Sequence, residues 1–271
     1  MTGYPQHKGF SLTEVLLATG ILAIGMVMIA MVFPVGVKLA GIATENTIKV
    51  VAANEASAKM RLYGIKPFSD LASWGRPPRD PNTTCTDYQD IHAGVVSADE
   101  YFYPSLVPQP TEKRYCWSAL VRRADPNTDE VQTTVFVCRI LSMGTKYYTY
   151  LTVKTSVEYG TVSGNNGTVP VPVKVQVQKI GTGNRELKII PALTGNPEYN
   201  FFTEGCVIFE DSQGQVCRVV EMKDLDGDQK RDLILQDDYN GPSSGYVWVV
   251  PPAVGSSRNP CIDVAQTTLV F

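Results

Sequence analysis

The chain has 271 residues, 44% hydrophobic and 19% charged, with a formal net charge of -3. That length supports a sizeable core, and the near-balance of charge leaves no general basic field to hold nucleic acid. Only two histidines occur, His7 and His92, which removes most histidine-based metal sites and general-base chemistry.

The N-terminus reads His7-Lys8-Gly9-Phe10-Ser11-Leu12-Thr13-Glu14, and residues 15–37 behind it carry no charge. At about 1.5 Å per residue this run spans about 34 Å, enough to cross a bilayer core of about 30 Å. It exceeds the roughly 7–15 residues of a cleaved secretory h-region. A membrane-spanning stretch is therefore predicted over about 13–37, inside a helix covering 10–63. Glu14 places a carboxylate at the start of that helix, at a cost of about 2.5–3.5 kcal/mol unless it finds a partner. The nearest cation, Lys8, lies on the far side of Gly9.

Beyond the membrane the helix should become amphipathic. Leu39, Ile42, Ala43, Val50, Ala53 and Met60 form its apolar side, with Lys38, Glu45, Lys49, Glu55, Lys59 and Arg61 between them. Tyr63-Gly64 is the expected stop. Pro34 predicts a kink or a local opening.

Lys8-Gly9-Phe10-Ser11-Leu12-Thr13-Glu14 and the apolar run behind it resemble the type IV pilin and type II secretion pseudopilin family. Its members have a short basic leader ending in glycine, then phenylalanine, three residues, glutamate and a long apolar helix. The resemblance implies a leader at 1–9, cut by prepilin peptidase between Gly9 and Phe10, with methylation of the new Phe10 amine. It implies that Glu14 pairs with the Phe10 amine of a neighbouring subunit during filament assembly. It also implies an α+β fold, with the long N-terminal helix packed on an antiparallel β-rich head that has an extended C-terminal β region. Expected partners are other pilin or pseudopilin subunits, prepilin peptidase, the inner-membrane assembly machinery and membrane lipid before assembly. The precursor would sit in the inner membrane as a single-pass protein, then in a filament at the cell surface or in the periplasm. The large head suggests a minor subunit. Family members commonly carry a helix-breaking proline slightly earlier, where this chain has Met31.

Residues 64–114 are rich in Pro, Asp, Asn and Ser and read as an irregular connector with one short helix, pinned by Cys85. The head then covers 115–271. A hairpin is predicted from 115–123 and 131–140 around Asp125-Pro126-Asn127-Thr128-Asp129. Centring it on Asn127 places Cys116 opposite Cys138, so a cross-strand disulfide is expected. Further strands are predicted at 146–154, 169–177, 187–190, 201–209, 216–222, 233–235 and 246–250. Cys206 and Cys217 flank Asp211-Ser212-Gln213-Gly214 and suggest a second staple, leaving Cys85 to pair with Cys261 by elimination. Six cysteines after a membrane segment fit an oxidising compartment.

Asp224-Leu225-Asp226-Gly227-Asp228-Gln229-Lys230-Arg231-Asp232 alternates carboxylates along a loop. Calcium prefers six to eight oxygen ligands. Asp224, Asp226, Asp228 and Asp232 would supply side chains, and Lys230 its carbonyl. The loop is similar to those between strands of integrin-type β-propeller repeats, with Gln229 where glycine is common. Lys230 and Arg231 could instead neutralise a solvated acidic turn.

The alternative function is a pilus-borne or membrane-tethered adhesin, for which Tyr101-Phe102-Tyr103 and Tyr147-Tyr148 are candidate contact residues. Neither a Gly-x-Ser-x-Gly elbow nor a His-Glu-x-x-His motif occurs. The sequence therefore points to a structural subunit and not to an enzyme.

Overall fold

The computed structural model describes residues 9–63, 89–90, 98–104, 114–123, 130–141, 145, 147, 151–153, 156–158, 170–181, 183–191, 197–225, 231–253 and 255–270. Two compact units emerge, Met1–Ile48 and Lys49–Phe271. One helix, α1, runs from Leu12 to Tyr63. From Leu12 to Thr44 every side-chain position is exposed except half-buried Gly25. The helix is long and apolar enough to cross a membrane. It continues through Pro34 without a break, because proline forfeits one backbone bond while its neighbours hold the turns on either side.

The C-terminal part of α1 belongs to the head unit. Ala52, Ala53, Ala56 and Met60 are buried there, whereas Leu39, Ile42 and Val50, expected on the packed face, are exposed. Within the head unit the buried helix positions include three alanines, which let the helix backbone come close. The buried end is fixed by polar contacts as well. Lys59 pairs with Glu55 and Glu100 at 2.9 Å each, and donates to the Glu100 carbonyl at 2.8 Å. The Trp117 indole donates to that same carbonyl at 3.1 Å.

The described strands in chain order are β1 (Gln89–Asp90), β2 (Phe102–Tyr103), β3 (Tyr115–Arg123), β4 (Glu130–Arg139), β5 (Leu151–Val153), β6 (Ser156–Glu158) and β7 (Val173–Lys179). They continue with β8 (Glu186–Ile190), β9 (Val207–Glu210), β10 (Val216–Lys223), β11 (Asp232–Leu235), β12 (Ser244–Val249) and β13 (Cys261–Val270). An antiparallel sheet runs β1-β3-β4-β13, with β2 also beside β3. β7 to β12 close a separate six-stranded barrel, in the order β10-β11-β8-β7-β12-β9. β5 and β6 form a two-stranded hairpin.

Both faces of β3 are covered, so burial from Cys116 to Val121, Ser118 included, is continuous and not alternating. In the barrel, by contrast, β7 and β8 alternate inside and outside. Val173, Val175, Val177, Leu187, Ile189 and Val247 are among the side chains filling its interior. The barrel sits in the chain between β4 and β13, which are neighbours in the sheet. Its β9–β10 turn touches that sheet: Arg122 donates to the Ser212 carbonyl and Gln266 to the Gly214 carbonyl, both at 2.7 Å. Phe136 meets Phe209 edge to face, with ring centroids 6.2 Å apart.

Several predicted boundaries shift. The stretch 201–206 is not strand, and extended structure begins only at Val207. Of 146–154, strand is described at Leu151–Val153. The connector contributes β1, β2 and a 3-10 turn at Ala98–Tyr101. β13 was not among the predicted strands.

Candidate functional site

The N-terminal end of α1 is the candidate site. Gly9 and Phe10 precede the helix in irregular backbone, and Phe10 is 87% exposed. A Cβ built on Gly9 would meet no atom within 4 Å. The fold itself therefore places no steric demand for glycine there, and the peptide bond to Phe10 is open to an enzyme.

Ser11 caps the helix. Its hydroxyl accepts the Glu14 amide at 3.3 Å, while the Glu14 carboxylate accepts the Ser11 amide at 2.9 Å and the Ser11 hydroxyl at 3.1 Å. This reciprocal arrangement is a capping box, in which two orphan amides at a helix start are satisfied by side chains. The Glu14 carboxylate thus finds hydrogen-bond donors at its own helix terminus. A carboxylate there also complements the helix dipole. The Ser-x-x-Glu spacing ahead of an apolar run is the sequence signal that identifies Ser11 as a member of this site.

The site is a cappable, acid-bearing helix start on a membrane-length helix, preceded by an accessible Gly–Phe bond. Residues 5–30 match the family model described as the prokaryotic N-terminal methylation motif. The chain carries that motif, which is the type IV pilin and pseudopilin signal. Comparison with curated proteins and with solved structures gives no match.

The other predicted site residues lie in the head. The five described cysteines are buried thiols. β3–β4 register sets Cys116 directly opposite Cys138, as the turn-centring argument expects. Cys138 also faces Cys261 across β13, so Cys138 has two neighbouring thiols. Burial, followed by the hydrogen bond to Cys116, pushes the Cys138 thiol up. The Cys138 hydrogen bond and burial do the same for Cys261. Cys206 and Cys217 are a diagonal apart. Cys217 faces Ile208, and the Cys206 carbonyl accepts the Val219 amide at 2.9 Å. Burial pushes their thiols to about 12 and about 11 respectively. Cys85 lies outside the described residues.

Of the predicted calcium ligands, Asp226, Asp228 and Lys230 lie outside the described residues. Asp224 is exposed and Asp232 fully buried. One Asp232 carboxylate oxygen accepts the Leu225 amide at 3.1 Å, drawing the two ends of the loop together. Among the described residues no group of three or more His, Cys, Asp or Glu is placed to hold a metal ion. Of the candidate contact aromatics, Tyr101, Phe102 and Tyr147 are buried and Tyr103 is half-buried. Tyr148 lies outside the described residues, and Tyr101 packs on Trp117 with centroids 4.9 Å apart.

Proposed function

We propose that the chain is a structural subunit of a type IV pilus or pseudopilus, cut between Gly9 and Phe10, methylated at Phe10 and assembled through α1. The observation that carries this reading is a methylation motif at 5–30 on a helix whose large apolar residues from Leu12 to Val37 are exposed among the described residues. In the precursor, lipid supplies their cover; in a filament, neighbouring α1 helices replace it. The Glu14 carboxylate is held in cis by Ser11 until the Phe10 amine of a neighbouring subunit competes for it. The head is stapled by disulfides drawn from its six cysteines, and the 224–232 loop takes calcium as a structural brace.

Mass spectrometry of the mature N-terminus, in membranes and in sheared filaments, tests the central reading. A chain beginning at methylated Phe10 in sheared filaments supports it. A chain retaining residues 1–9 and confined to membranes overturns it.

A further inference from the structure

Cys116, Cys138 and Cys261 occupy one rung across three neighbouring strands, with Cys138 in the middle. All three are buried, and the Cys116 thiol reaches across to the Cys138 carbonyl at 3.8 Å. Directly opposite residues on a sheet point to the same side, with Cβ atoms about 4.5–5.5 Å apart. That is close to disulfide range. Three thiols on one rung differ from two in an important way. The outer sulfurs approach the central one from opposite sides, along the direction in which the strands pair. Thiol–disulfide exchange needs this in-line geometry, because one sulfur attacks as the other leaves.

We propose that this rung is a disulfide-exchange site, at which Cys138 passes from Cys116 to Cys261. The first bond forms when the Cys138 thiolate attacks an external disulfide donor and Cys116 resolves the mixed disulfide. Two electrons pass from the cysteine pair to the donor, which leaves as its dithiol or as two thiols. In the second step the Cys261 thiolate attacks the Cys138 sulfur. The Cys138–Cys261 bond forms, the Cys116–Cys138 bond breaks, and its electron pair leaves on the Cys116 sulfur. Cys116 takes up the proton that Cys261 released, so this step involves no net oxidation.

Chain length sets the order. Cys116 is 22 residues from Cys138, whereas Cys261 is 123 residues away along the chain from 138 to 261. Loop closure scaling with the -3/2 power of separation favours the nearer partner about tenfold in an unfolded chain. Docking of β13 on β4 then brings Cys261 to the opposite flank of Cys138. The new bond joins the strand that enters the barrel to the strand that leaves it. The neighbouring Cys138 side chain and burial push the Cys261 thiol up, which slows exchange once the head has closed.

The test uses the full chain, reduced and unfolded in detergent, then refolded with oxidised glutathione. Samples are alkylated at intervals and their peptides mapped without reduction. The expected course is an early Cys116–Cys138 bond that declines as Cys138–Cys261 grows. Cys261→Ser should hold the early bond, and Cys116→Ser should form Cys138–Cys261 directly. The wild-type time course needs no variant to fold. Cys138 bonded to Cys85, Cys206 or Cys217 would overturn the proposal. So would an unchanging Cys116–Cys138 bond after the head has refolded.

Discussion

Replacing Asp211 should weaken the head more than its position in a turn suggests. Its carboxylate is held between two barrel strands: Oδ1 accepts the Trp248 indole N–H at 2.6 Å, and Oδ2 meets the Lys174 ammonium at 2.6 Å. Asp211→Ala removes both partners. Trp248 is buried, so its N–H loses a charged acceptor where water cannot substitute, at about 1.5–3 kcal/mol. The Lys174 side chain is 29% exposed and regains water, so its share is about 0.5 kcal/mol. The expected loss is about 2–3.5 kcal/mol, or about 4–14 °C for a unit of this size. Asp211→Asn keeps an acceptor for the indole and should cost only about 1 kcal/mol. Urea denaturation of the full chain in detergent, followed by tryptophan fluorescence, reads both variants. An alanine variant within about 0.5 kcal/mol of the parent would refute the reasoning, as would equal losses for the two variants.

Glu14→Ala should leave membrane insertion intact or improve it while recovery in sheared filaments falls; undiminished recovery would show that Glu14 takes no part in assembly. Ser11→Ala should cost about 1 kcal/mol at the helix start, visible as faster amide exchange over residues 12–15 in micelles. Unchanged protection there would count against the capping box. Burial pushes the Tyr147 phenol up to about 12 from its ordinary 10. The unfolded chain therefore ionises first, so the stability this phenol contributes should be full below pH 10 and be lost between about 10 and 12. Tyr147→Phe should flatten that decline, and an identical slope in the variant would rule the phenol out as its source. Calcium should raise the melting temperature of the head, and joint replacement of Asp226 and Asp228 by Asn should abolish the rise; a melting temperature indifferent to calcium and chelator would dismiss the brace.

The helix and the β3–β4 hairpin were legible because their signals are local. An uncharged run of membrane length needs no tertiary partner to be recognised, and the symmetry of Cys116 and Cys138 about Asn127 reproduces the register found. β13 was hidden for the opposite reason. Its sequence, Cys261-Ile262-Asp263-Val264-Ala265-Gln266-Thr267-Thr268-Leu269-Val270, has no steady alternation. Its extended form is set by pairing along β4 from Glu130 to Cys138, far away in the chain. Missing β13 also concealed the second neighbour of Cys138. The offset of Cys206 and Cys217 has a local cause: the turn is centred between Ser212 and Gln213, and Gly214 adopts φ +78° to close it. The barrel strands were readable one by one. Closure depends on β12 joining both β7 and β9, pairings that no short window of sequence contains. Ser11 is readable from its spacing to Glu14, since Ser-x-x-Glu ahead of an apolar run is a capping-box pattern.

The barrel leaves the sheet after β4 and returns to it at β13, and those two strands lie side by side. In mechanical terms it hangs as a closed side loop off the load path. A pull along α1 passes into the head through Ala52, Ala56 and Met60, which enter a core shared with β3, β4 and β13, and through the Lys59–Glu100 ion pair. Both chain connections of the barrel end on the paired strands β4 and β13, and its side contacts with the sheet are Arg122 on Ser212, Gln266 on Gly214 and Phe136 against Phe209. Its outer surface is therefore free to diverge under selection without weakening the part of the molecule that bears force.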